Sequence, residues 1–194
     1  EVDKPAPTEK QVLVKVHAAS INAKEWRRFT MPSFAARLIT GGWLKPKDTA
    51  IGTDVAGRVE AVGENVTRFK PGDEVFGFAH GSFAEYVLAR EAYLTLKPDN
   101  RSFEEAAAVP LAALTALQAI RYAGGCRAGQ QVLIQGASGG IGMYIVQLAK
   151  VSGAEVAAVC SARNLDMALS FGADHVIDYT SEDFTKSGKQ YDLI

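Results

Sequence analysis

A glycine-rich loop limits what this sequence can fold into more than any other feature. It runs from Gly136 to Gly142 as Gly-Ala-Ser-Gly-Gly-Ile-Gly, after a buried strand predicted at 131–135 and at the start of a helix predicted over 140–151. Each glycine at a helix start costs about 0.5–1 kcal/mol relative to alanine, so the run needs a reason. A pyrophosphate that approaches the backbone and meets free N–H groups at the helix N-terminus supplies one. The alternative is a turn that packs the helix tightly on its strand.

The rest of the second half alternates strands and helices. Strands are predicted at 131–135, 155–159 and 175–178, another begins at 191–194, and helices span 140–151 and 164–171. Strands separated by helices of about 10–15 residues predict parallel βαβ units. Upstream, Ser102 and Glu105 form a capping-box pattern that opens a helix, and Pro110 separates it from a second helix over 111–123. We therefore expect a Rossmann nucleotide-binding domain over 101–194.

The first half of the sequence has a different pattern, in which turns separate short predicted strands. Period-two alternation predicts half-buried strands at 12–18, 55–62, 74–78 and 83–87. Between the second and third of these, Pro71 and Gly72 supply the residues of a tight turn. We expect a small β-rich domain over 1–100, and the whole chain therefore belongs to the α/β class.

Composition narrows the class of protein. The net charge of −1 provides no field that would recruit nucleic acid or a membrane surface, and no apolar run is long enough for a transmembrane helix. The two cysteines, Cys126 and Cys160, lack a CxxC spacing, which fits a reducing cytoplasm. A secreted disulfide scaffold, a zinc finger and a basic nucleic-acid module are excluded. A cytoplasmic enzyme is the expected class.

The end of the second parallel strand indicates which dinucleotide the loop would bind. An Asp or Glu at this position would bind the ribose 2′-OH of NAD, but the strand runs into Cys160-Ser161-Ala162-Arg163. Ser161 offers a hydrogen bond, and the planar fork of Arg163 pairs with a phosphate. The sequence therefore predicts NADP(H), and the alternative is a solvated loop arginine.

One competing reductase class has a partial match. The glycine loop also resembles the short-chain dehydrogenase turn, and Tyr93 and Lys97 have that class's catalytic Tyr/Lys spacing. However, residues 94–96 and Pro98 read as a strand and a turn, and residues four apart share a face only on a helix. We interpret this match as chance.

Three stretches together carry a more specific resemblance. They are Ile51–Gly63, Phe69–Gly77 and Gly136–Gly142. The chain resembles the medium-chain dehydrogenase/reductase superfamily, and most of all its zinc-independent quinone oxidoreductase (zeta-crystallin-like) branch. The resemblance implies a GroES-like catalytic domain that is incomplete at its N-terminus and a Rossmann domain that is incomplete at its C-terminus. Because both domains would be incomplete, the sequence is interpreted as a fragment. The resemblance also implies a homodimer when full length.

The resemblance bears on metal chemistry. Zinc dehydrogenases of the superfamily carry Gly-His-Glu where this chain has Gly52-Thr53-Asp54, and a Cys ligand near the position of 22–25. Two distant cysteines cannot supply the three or four ligands that zinc requires. We expect no catalytic metal, so carbonyl polarisation must come from hydrogen-bond donors.

The resemblance also implies roles for particular residues. It places Ser138, Gly139, Gly140 and Ile141 at the pyrophosphate, and Ser161, Arg163 and Tyr179 around the 2′-phosphate. Thr115 matches a position near the nicotinamide. Asn22 matches the segment that lines the substrate cleft, and Arg27 stands where the branch often has Tyr, which favours a polar or anionic substrate.

The segment from Lys24 to Lys47 is basic and also apolar. Its apolar residues predict either a mobile cover over the cleft or part of an ordinary core. These residues are Phe29, Phe34, Leu38, Ile39, Trp43 and Leu44. The expected function is NADPH-dependent hydride transfer to a quinone or an α,β-unsaturated carbonyl. A non-catalytic NADPH-binding protein of the same fold and a zinc-free alcohol dehydrogenase are the alternatives.

Overall fold

The structure is a computed structural model that describes residues 3–30 and 50–194. It divides into two compact units, Glu1–Leu111 and Ala112–Ile194. The first unit contains an antiparallel sheet and the second a parallel sheet flanked by helices. The expected order, a β-rich part followed by a parallel α/β part, is therefore confirmed.

Within 3–30 and 50–111, five strands form one antiparallel sheet: β1 (Gln11–Ala18), β2 (Asp54–Val62), β3 (Glu74–Phe78), β4 (Tyr86–Arg90) and β5 (Leu94–Leu96). Their order in the sheet is β4-β1-β2-β3-β5. A short 3₁₀ turn, Glu91–Tyr93, joins β4 to β5. Alternate residues of these strands bury an apolar core that includes Val12, Val14, Val55, Val59 and Val75.

One strand of this sheet differs from the sequence prediction, which placed it at 83–87. The observed strand β4 begins at Tyr86, because its residues pair with β1 from Gln11↔Arg90 to Lys15↔Tyr86. Phe83 instead donates its N–H to Ile51 O at 3.0 Å, so it belongs to the loop that packs against the residues before β2. Pairing with β1, rather than local alternation, sets the bounds of β4.

Among the described residues, three helices accompany the first sheet or follow it: α1 (Ala23–Thr30), α2 (Phe103–Ala107) and α3 (Pro110–Tyr122). The capping box predicted at the start of α2 is confirmed, because Ser102 Oγ accepts from Glu105 N–H at 3.2 Å and Glu105 accepts from Ser102 N–H at 2.9 Å. Behind it, Phe103 stacks on the ring of His17 with a centroid distance of 4.3 Å. The new helix at Pro110 is also as predicted.

The second unit contains three parallel strands in the order β6-β7-β8. These are β6 (Gln131–Gln135), β7 (Glu155–Cys160) and β8 (His175–Asp178), with α4 (Gly142–Val151) and α5 (Leu165–Ser170) as crossover helices. Val156 and Ala158 of β7 join one apolar cluster and Ala157 and Val159 join another, so both faces of the sheet are covered. Burial on both faces is what parallel strands require.

Two boundaries of this unit differ from the prediction. The helix predicted from 140 begins at Gly142, because Gly139 and Gly136 form a hydrogen-bonded turn before it. The further strand predicted at 191–194 is reduced to one parallel bridge between Val132 and Leu193. Leu133 N–H donates to Leu193 O at 2.9 Å, and the Asp192 carboxylate accepts from Gln131 N–H at 2.8 Å.

The apolar residues predicted as a cover or as core fall within 31–49, except for Phe29. Residues 31–49 and the side chain of Phe29 lie outside the described residues. Within the described ranges, no helix has the length and apolar character needed to cross a membrane.

Candidate functional site

The glycine-rich loop connects β6 to α4, and its four glycines have different structural reasons. Gly136 has φ +71°, a left-handed conformation that favours glycine. A Cβ on Gly142 would collide with the carbonyl oxygen of Gly136, and a Cβ on Gly139 would lie 3.2 Å from the same oxygen. Gly140 is different, because its φ is not positive and an added Cβ would meet no atom within 4 Å. Backbone conformation therefore explains Gly136 and packing explains Gly139 and Gly142, but neither explains Gly140, which leaves open space beside the loop.

The loop also presents unpaired backbone donors. In the second unit, whose residues 112–194 are all described, the N–H groups of Ser138, Gly140 and Ile141 have no hydrogen-bond partner. All three precede the first turn of α4, where the helix dipole favours a negative charge. Gly139 and Gly140 are solvent-exposed, Ile141 is 43% exposed and Ser138 is half-buried, so the loop that carries these donors faces solvent. An open cradle with free donors fits the phosphates of a dinucleotide.

A residue that the sequence analysis missed joins this loop to the end of β7. Asn164 donates one amide N–H to Ser138 Oγ at 3.1 Å and the other to Ser161 Oγ at 3.2 Å. It ends the 3₁₀ turn Ala162–Asn164 that follows β7. Because each serine oxygen accepts from Asn164, each hydroxyl proton is free to be donated elsewhere. Two predicted residues, Ser138 and Ser161, are thus brought together with both O–H donors available.

The two other residues predicted near the 2′-phosphate lie on the surface beside this turn. Arg163 is exposed within the 3₁₀ turn, and Tyr179 is 59% exposed directly after β8. Tyr179 N–H donates to Cys160 O at 3.2 Å, which places Tyr179 beside the end of β7. Thr115 is half-buried in α3.

In the first unit, Asn22 lies immediately before α1 and takes part in a buried polar network. Its amide nitrogen donates to Asp54 Oδ2 at 2.9 Å and to Ser20 Oγ at 3.2 Å. Ser20 Oγ also donates to Asp54 Oδ2 at 2.7 Å. On the other side, Asp54 Oδ1 accepts from the Leu111 N–H in the first turn of α3 at 3.2 Å. Asp54 therefore holds Asn22 and the start of α3 together.

Asp54 is completely buried, and its electrostatics follow from that position. Burial raises the pKa of the Asp54 carboxyl, because a charged carboxylate loses its hydration. The hydrogen bonds from Asn22, Ser20 and Leu111 oppose this shift, and the nearby Glu25 carboxylate adds to it. Among the described residues, neutral donors contact the Asp54 carboxylate and no cation does.

Glu25 is a second buried acid beside this network, with 2% exposure. Its Oε2 accepts from the Asn22 N–H at 3.1 Å, and its Oε1 accepts from Thr53 Oγ1 at 2.8 Å. Lys24 Nζ in turn donates to Thr53 Oγ1 at 2.8 Å. Arg27 is exposed on α1.

Sequence signals existed for both missed acids. Asn22 and Glu25 have the spacing of a capping box, in which the third helical residue binds the N–H of the N-cap. Asp54 is an acid at the start of a buried apolar strand, where an ionisable group needs partners. Neither signal shows that the Asn22 side chain turns away from its own helix towards Asp54.

Comparison with known proteins places both halves of the chain. The alcohol dehydrogenase GroES-like domain family matches residues 8–99, and the zinc-binding dehydrogenase family matches residues 140–191. Over its full length the chain is 40% identical to a quinone-oxidoreductase homolog, chloroplastic, of Spinacia oleracea. The chain belongs to the medium-chain dehydrogenase/reductase superfamily, in its quinone oxidoreductase-like branch. The expected GroES-like and Rossmann folds are confirmed.

Further members of this branch agree. The chain is 38% identical to an NADPH-dependent alkenal/one oxidoreductase, chloroplastic, of Arabidopsis thaliana, with 98% of the chain and 50% of that protein covered. The quinone oxidoreductase from Coxiella burnetii superposes with a TM-score of 0.85 at 34% identity, covering 100% of this chain and 62% of that one. The chain spans 61% of the spinach protein. It therefore spans about half to three fifths of these quinone oxidoreductase-like relatives.

One matching family of the superfamily carries zinc in its description, so the donor set matters. Within 3–30 and 50–194, no three His, Cys, Asp or Glu side chains are grouped so that they could hold a metal ion. The side chains around Asp54 are Ser20 and Asn22, which are not the nitrogen and sulfur ligands that zinc sites prefer. The described residues around Asp54 do not fit a catalytic zinc.

Proposed function

We propose that this protein is an NADP(H)-dependent oxidoreductase that transfers a hydride to a quinone or an α,β-unsaturated carbonyl without zinc. The observation that carries the proposal is Gly140, a glycine required neither by its φ nor by packing, beside the free N–H groups of Ser138 and Ile141. The nicotinamide cofactor supplies the hydride when it is bound. The protein supplies binding, orientation and hydrogen bonds.

The predicted residues keep the roles that we expected of them, as part of this proposal. Ser138, Gly139, Gly140 and Ile141 form the pyrophosphate site, in which free backbone N–H groups of the loop are the donors. Ser161, Arg163 and Tyr179 bind the 2′-phosphate, and Thr115 lies by the nicotinamide. Asn22 and Arg27 belong to the substrate side, with residues 1–100 as the catalytic domain and 101–194 as the nucleotide domain.

The preference for NADP(H) over NAD(H) rests on the turn after β7. This turn presents Ser161 and exposed Arg163 and has no carboxylate that would bind a free ribose 2′-OH. A planar guanidinium binds a phosphate through two hydrogen bonds. The relative from Arabidopsis thaliana, whose name states NADPH dependence, supports the same preference.

The substrate class is inferred from the relatives. Their names state quinone and alkenal or enone reduction, which share the addition of a hydride to an electron-poor conjugated system. The cation of Lys24, beside the polar network of Asn22 and Asp54, provides a polar group in the catalytic domain that suits a carbonyl oxygen.

Two measurements on the full-length protein test the function. A fluorescence titration compares NADPH with NADH, and tighter binding of NADH would overturn the role of Arg163. Steady-state assays with NADPH then use phenanthrenequinone and a simple enone. Binding of NADPH without any turnover would favour the non-catalytic alternative, and loss of activity with a chelator would favour a zinc enzyme.

Substitution of Gly140 tests the observation that carries the proposal. Because the space beside Gly140 is empty, Gly140→Val is expected to leave the melting temperature of the unliganded protein unchanged. It is expected to weaken NADPH binding at least about tenfold, equivalent to about 1.4 kcal/mol. Unchanged NADPH affinity in a folded Gly140→Val protein would contradict the phosphate site.

Two further parts of the proposal concern the whole protein. We infer a cytoplasmic location, because Cys126 and Cys160 are unpaired, as cysteines are in a reducing compartment. We also infer a homodimer. Fractionation of cells and size-exclusion chromatography with light scattering test these two inferences.

A further inference from the structure

A chain of hydrogen bonds joins an exposed lysine to a buried carboxylate in the first unit. Lys24 Nζ donates to Thr53 Oγ1 at 2.8 Å, and Thr53 Oγ1 donates to Glu25 Oε1 at 2.8 Å. The direction is determined by chemistry, since an ammonium only donates, a carboxylate only accepts and a hydroxyl has a single proton. Glu25 is 2% exposed, so its charge acts in a poorly hydrated environment. The Lys24 ammonium is therefore held at a defined position by a buried negative charge.

Lys24 also lines a cavity. Lys24 and Thr53 line a cavity of about 340 Å³, within the range of small-molecule sites. Its other lining residues include the polar side chains of His80 and Arg90 and the apolar side chains of Phe78 and Tyr93. None of the described residues that line it is a carboxylate, so this part of the wall combines positive charge with apolar side chains. That chemistry suits an apolar molecule with an electron-rich oxygen.

The reaction proposed above requires a donor for such an oxygen. Hydride addition to a conjugated carbonyl places negative charge on the carbonyl oxygen, which hydrogen-bond donors must stabilise. Asn22 is occupied, because its amide nitrogen donates to Asp54 and Ser20. Lys24 has three N–H donors, and among the described residues it uses one of them, towards Thr53.

We propose that Lys24 is the catalytic residue that binds the carbonyl oxygen of the substrate and gives it a proton, and that Thr53 and Glu25 are its positioning residues. This inference rests on the proposed hydride transfer and names the donor that the function requires. It assigns to Lys24 the carbonyl polarisation that, without a metal, is expected of hydrogen-bond donors.

With an enone as substrate, hydride transfer and proton transfer form one C–H bond and one O–H bond. The hydride, with its two electrons, forms a C–H bond at the β-carbon, and the displaced π pair moves through the conjugated system to the carbonyl oxygen. One N–H bond of Lys24 breaks and an O–H bond forms, which gives an enol and a neutral amine. The enol becomes the ketone in water, and exposed Lys24 recovers its proton from solvent. The net reaction consumes one enone, one NADPH and one proton.

The experiment uses the full-length protein with four variants and one control. Lys24→Met removes the donor, and Lys24→Arg keeps a cation. Thr53→Val breaks the link to Glu25, and Thr53→Ser restores a hydroxyl. The matched control is Lys70→Met, which removes the same charge from an exposed turn of the same unit.

The first readout is binding of 4-nitrophenol without any nicotinamide cofactor, followed by the absorbance of its phenolate form. A held ammonium favours the phenolate, so wild-type protein and Lys70→Met are expected to bind it equally. Lys24→Met is expected to bind the phenolate at least tenfold more weakly, and Thr53→Val is expected to fall between them. Thr53→Ser is expected to match the wild type.

The second readout is the turnover of an enone with NADPH. Lys24→Met is expected to lower kcat at least about 100-fold, which is typical for loss of a general acid, while the Kd of NADPH is unchanged. Lys24→Arg is expected to restore part of kcat. A merely structural role for Lys24 would lower the melting temperature and NADPH affinity together, without selective loss of phenolate binding.

The two proposals fail in different ways. If the wild-type protein reduces the enone and Lys24→Met does so at the same kcat, the inference about Lys24 is wrong and the proposed function stands. If the wild-type protein reduces no quinone or enone, the proposed function is wrong, and phenolate binding still decides whether Lys24 forms an oxyanion site. Phenolate binding that is equal in wild type and Lys24→Met overturns the inference.

Discussion

Asn164 is the residue whose replacement tests the nucleotide site most directly. In Asn164→Asp the amide becomes a carboxylate, which cannot donate to Ser138 Oγ or Ser161 Oγ as the native side chain does at 3.1 and 3.2 Å. The two serine hydroxyls are then expected to donate to the new carboxylate instead. Both O–H groups that the native arrangement leaves available to a ligand are thereby withdrawn.

The size of the effect follows from the number of donors lost. A hydrogen bond to a charged group contributes about 1.5–3 kcal/mol, so the loss of two such bonds to phosphates weakens NADPH binding by at least about 3 kcal/mol, or about 150-fold. NADH has no 2′-phosphate and is expected to lose only the contact with Ser138, about 1.5 kcal/mol or tenfold. The preference for NADPH over NADH should therefore fall about tenfold.

The assay is a fluorescence titration of each dinucleotide against the full-length protein, with the melting temperature of the unliganded variant as a check on folding. Ser170→Asp is the matched control, because it adds the same charge on the exposed end of α5 without touching either serine. Asn164→Ala removes the bridge but captures neither hydroxyl, and a smaller loss is expected. The reasoning is refuted if Asn164→Asp lowers the affinity for NADPH and NADH by the same factor, or lowers neither.

The remaining predictions concern stability. Ser102→Ala removes half of the capping box of α2 and is expected to cost about 1 kcal/mol, seen as faster amide hydrogen exchange in 103–107; unchanged exchange would contradict the role of the cap. Asp174→Asn removes a carboxylate that accepts from Lys150 Nζ at 2.7 Å and Val156 N–H at 2.7 Å, and a cost of about 1 kcal/mol is expected at neutral pH because the pair is partly exposed. These contacts lower the pKa of Asp174 in the folded protein. The wild type is therefore more stable than the variant above the ordinary pKa of 3.8, and this difference in stability is lost as the pH falls below that value. A difference that persists in strong acid would be inconsistent with this linkage. The pH dependence at Asp54 has the opposite sign. Burial raises the pKa of Asp54, so its ionisation lowers the stability of the folded protein as the pH rises above 3.8. Denaturant midpoints should therefore show that Asp54→Asn is less stable than the wild type by a larger margin in acid than at neutral pH.

The features that the sequence predicted correctly are those encoded locally. The period-two strands, the capping box at Ser102 and the strand–loop–helix context of Gly136–Gly142 each depend on residues within a few positions of one another. The start of β4 was wrong because pairing with β1, about 75 residues earlier in the chain, sets it. Local patterns cannot specify such long-range pairing.

The same reason explains which site residues were missed. Asn164 is 26 residues from Ser138, and Asp54 is 32 residues from Asn22, so no spacing in the sequence announces either contact. Asn164 reads locally as a turn residue, and Asp54 reads as one acid at the start of a strand. Only the juxtaposition of loops at the ends of strands gives these two residues their partners.

Asn22 and Asn164 make the same kind of hydrogen-bonded bridge, but the two bridges have opposite effects on the donors left for a ligand. Each amide nitrogen donates to two oxygens, and each joins two segments that are distant in sequence. Asn164 donates to two hydroxyls, which keep their protons for a ligand, so that arrangement creates donors. Asn22 donates to the carboxylate of Asp54 and to Ser20 Oγ, whose own proton goes to the same carboxylate, so that arrangement consumes donors. A reductase needs donors at the substrate oxygen as well as at the phosphates. Because the network around Asp54 uses its donors internally, Lys24 is the described residue of the first unit to which we assign that task.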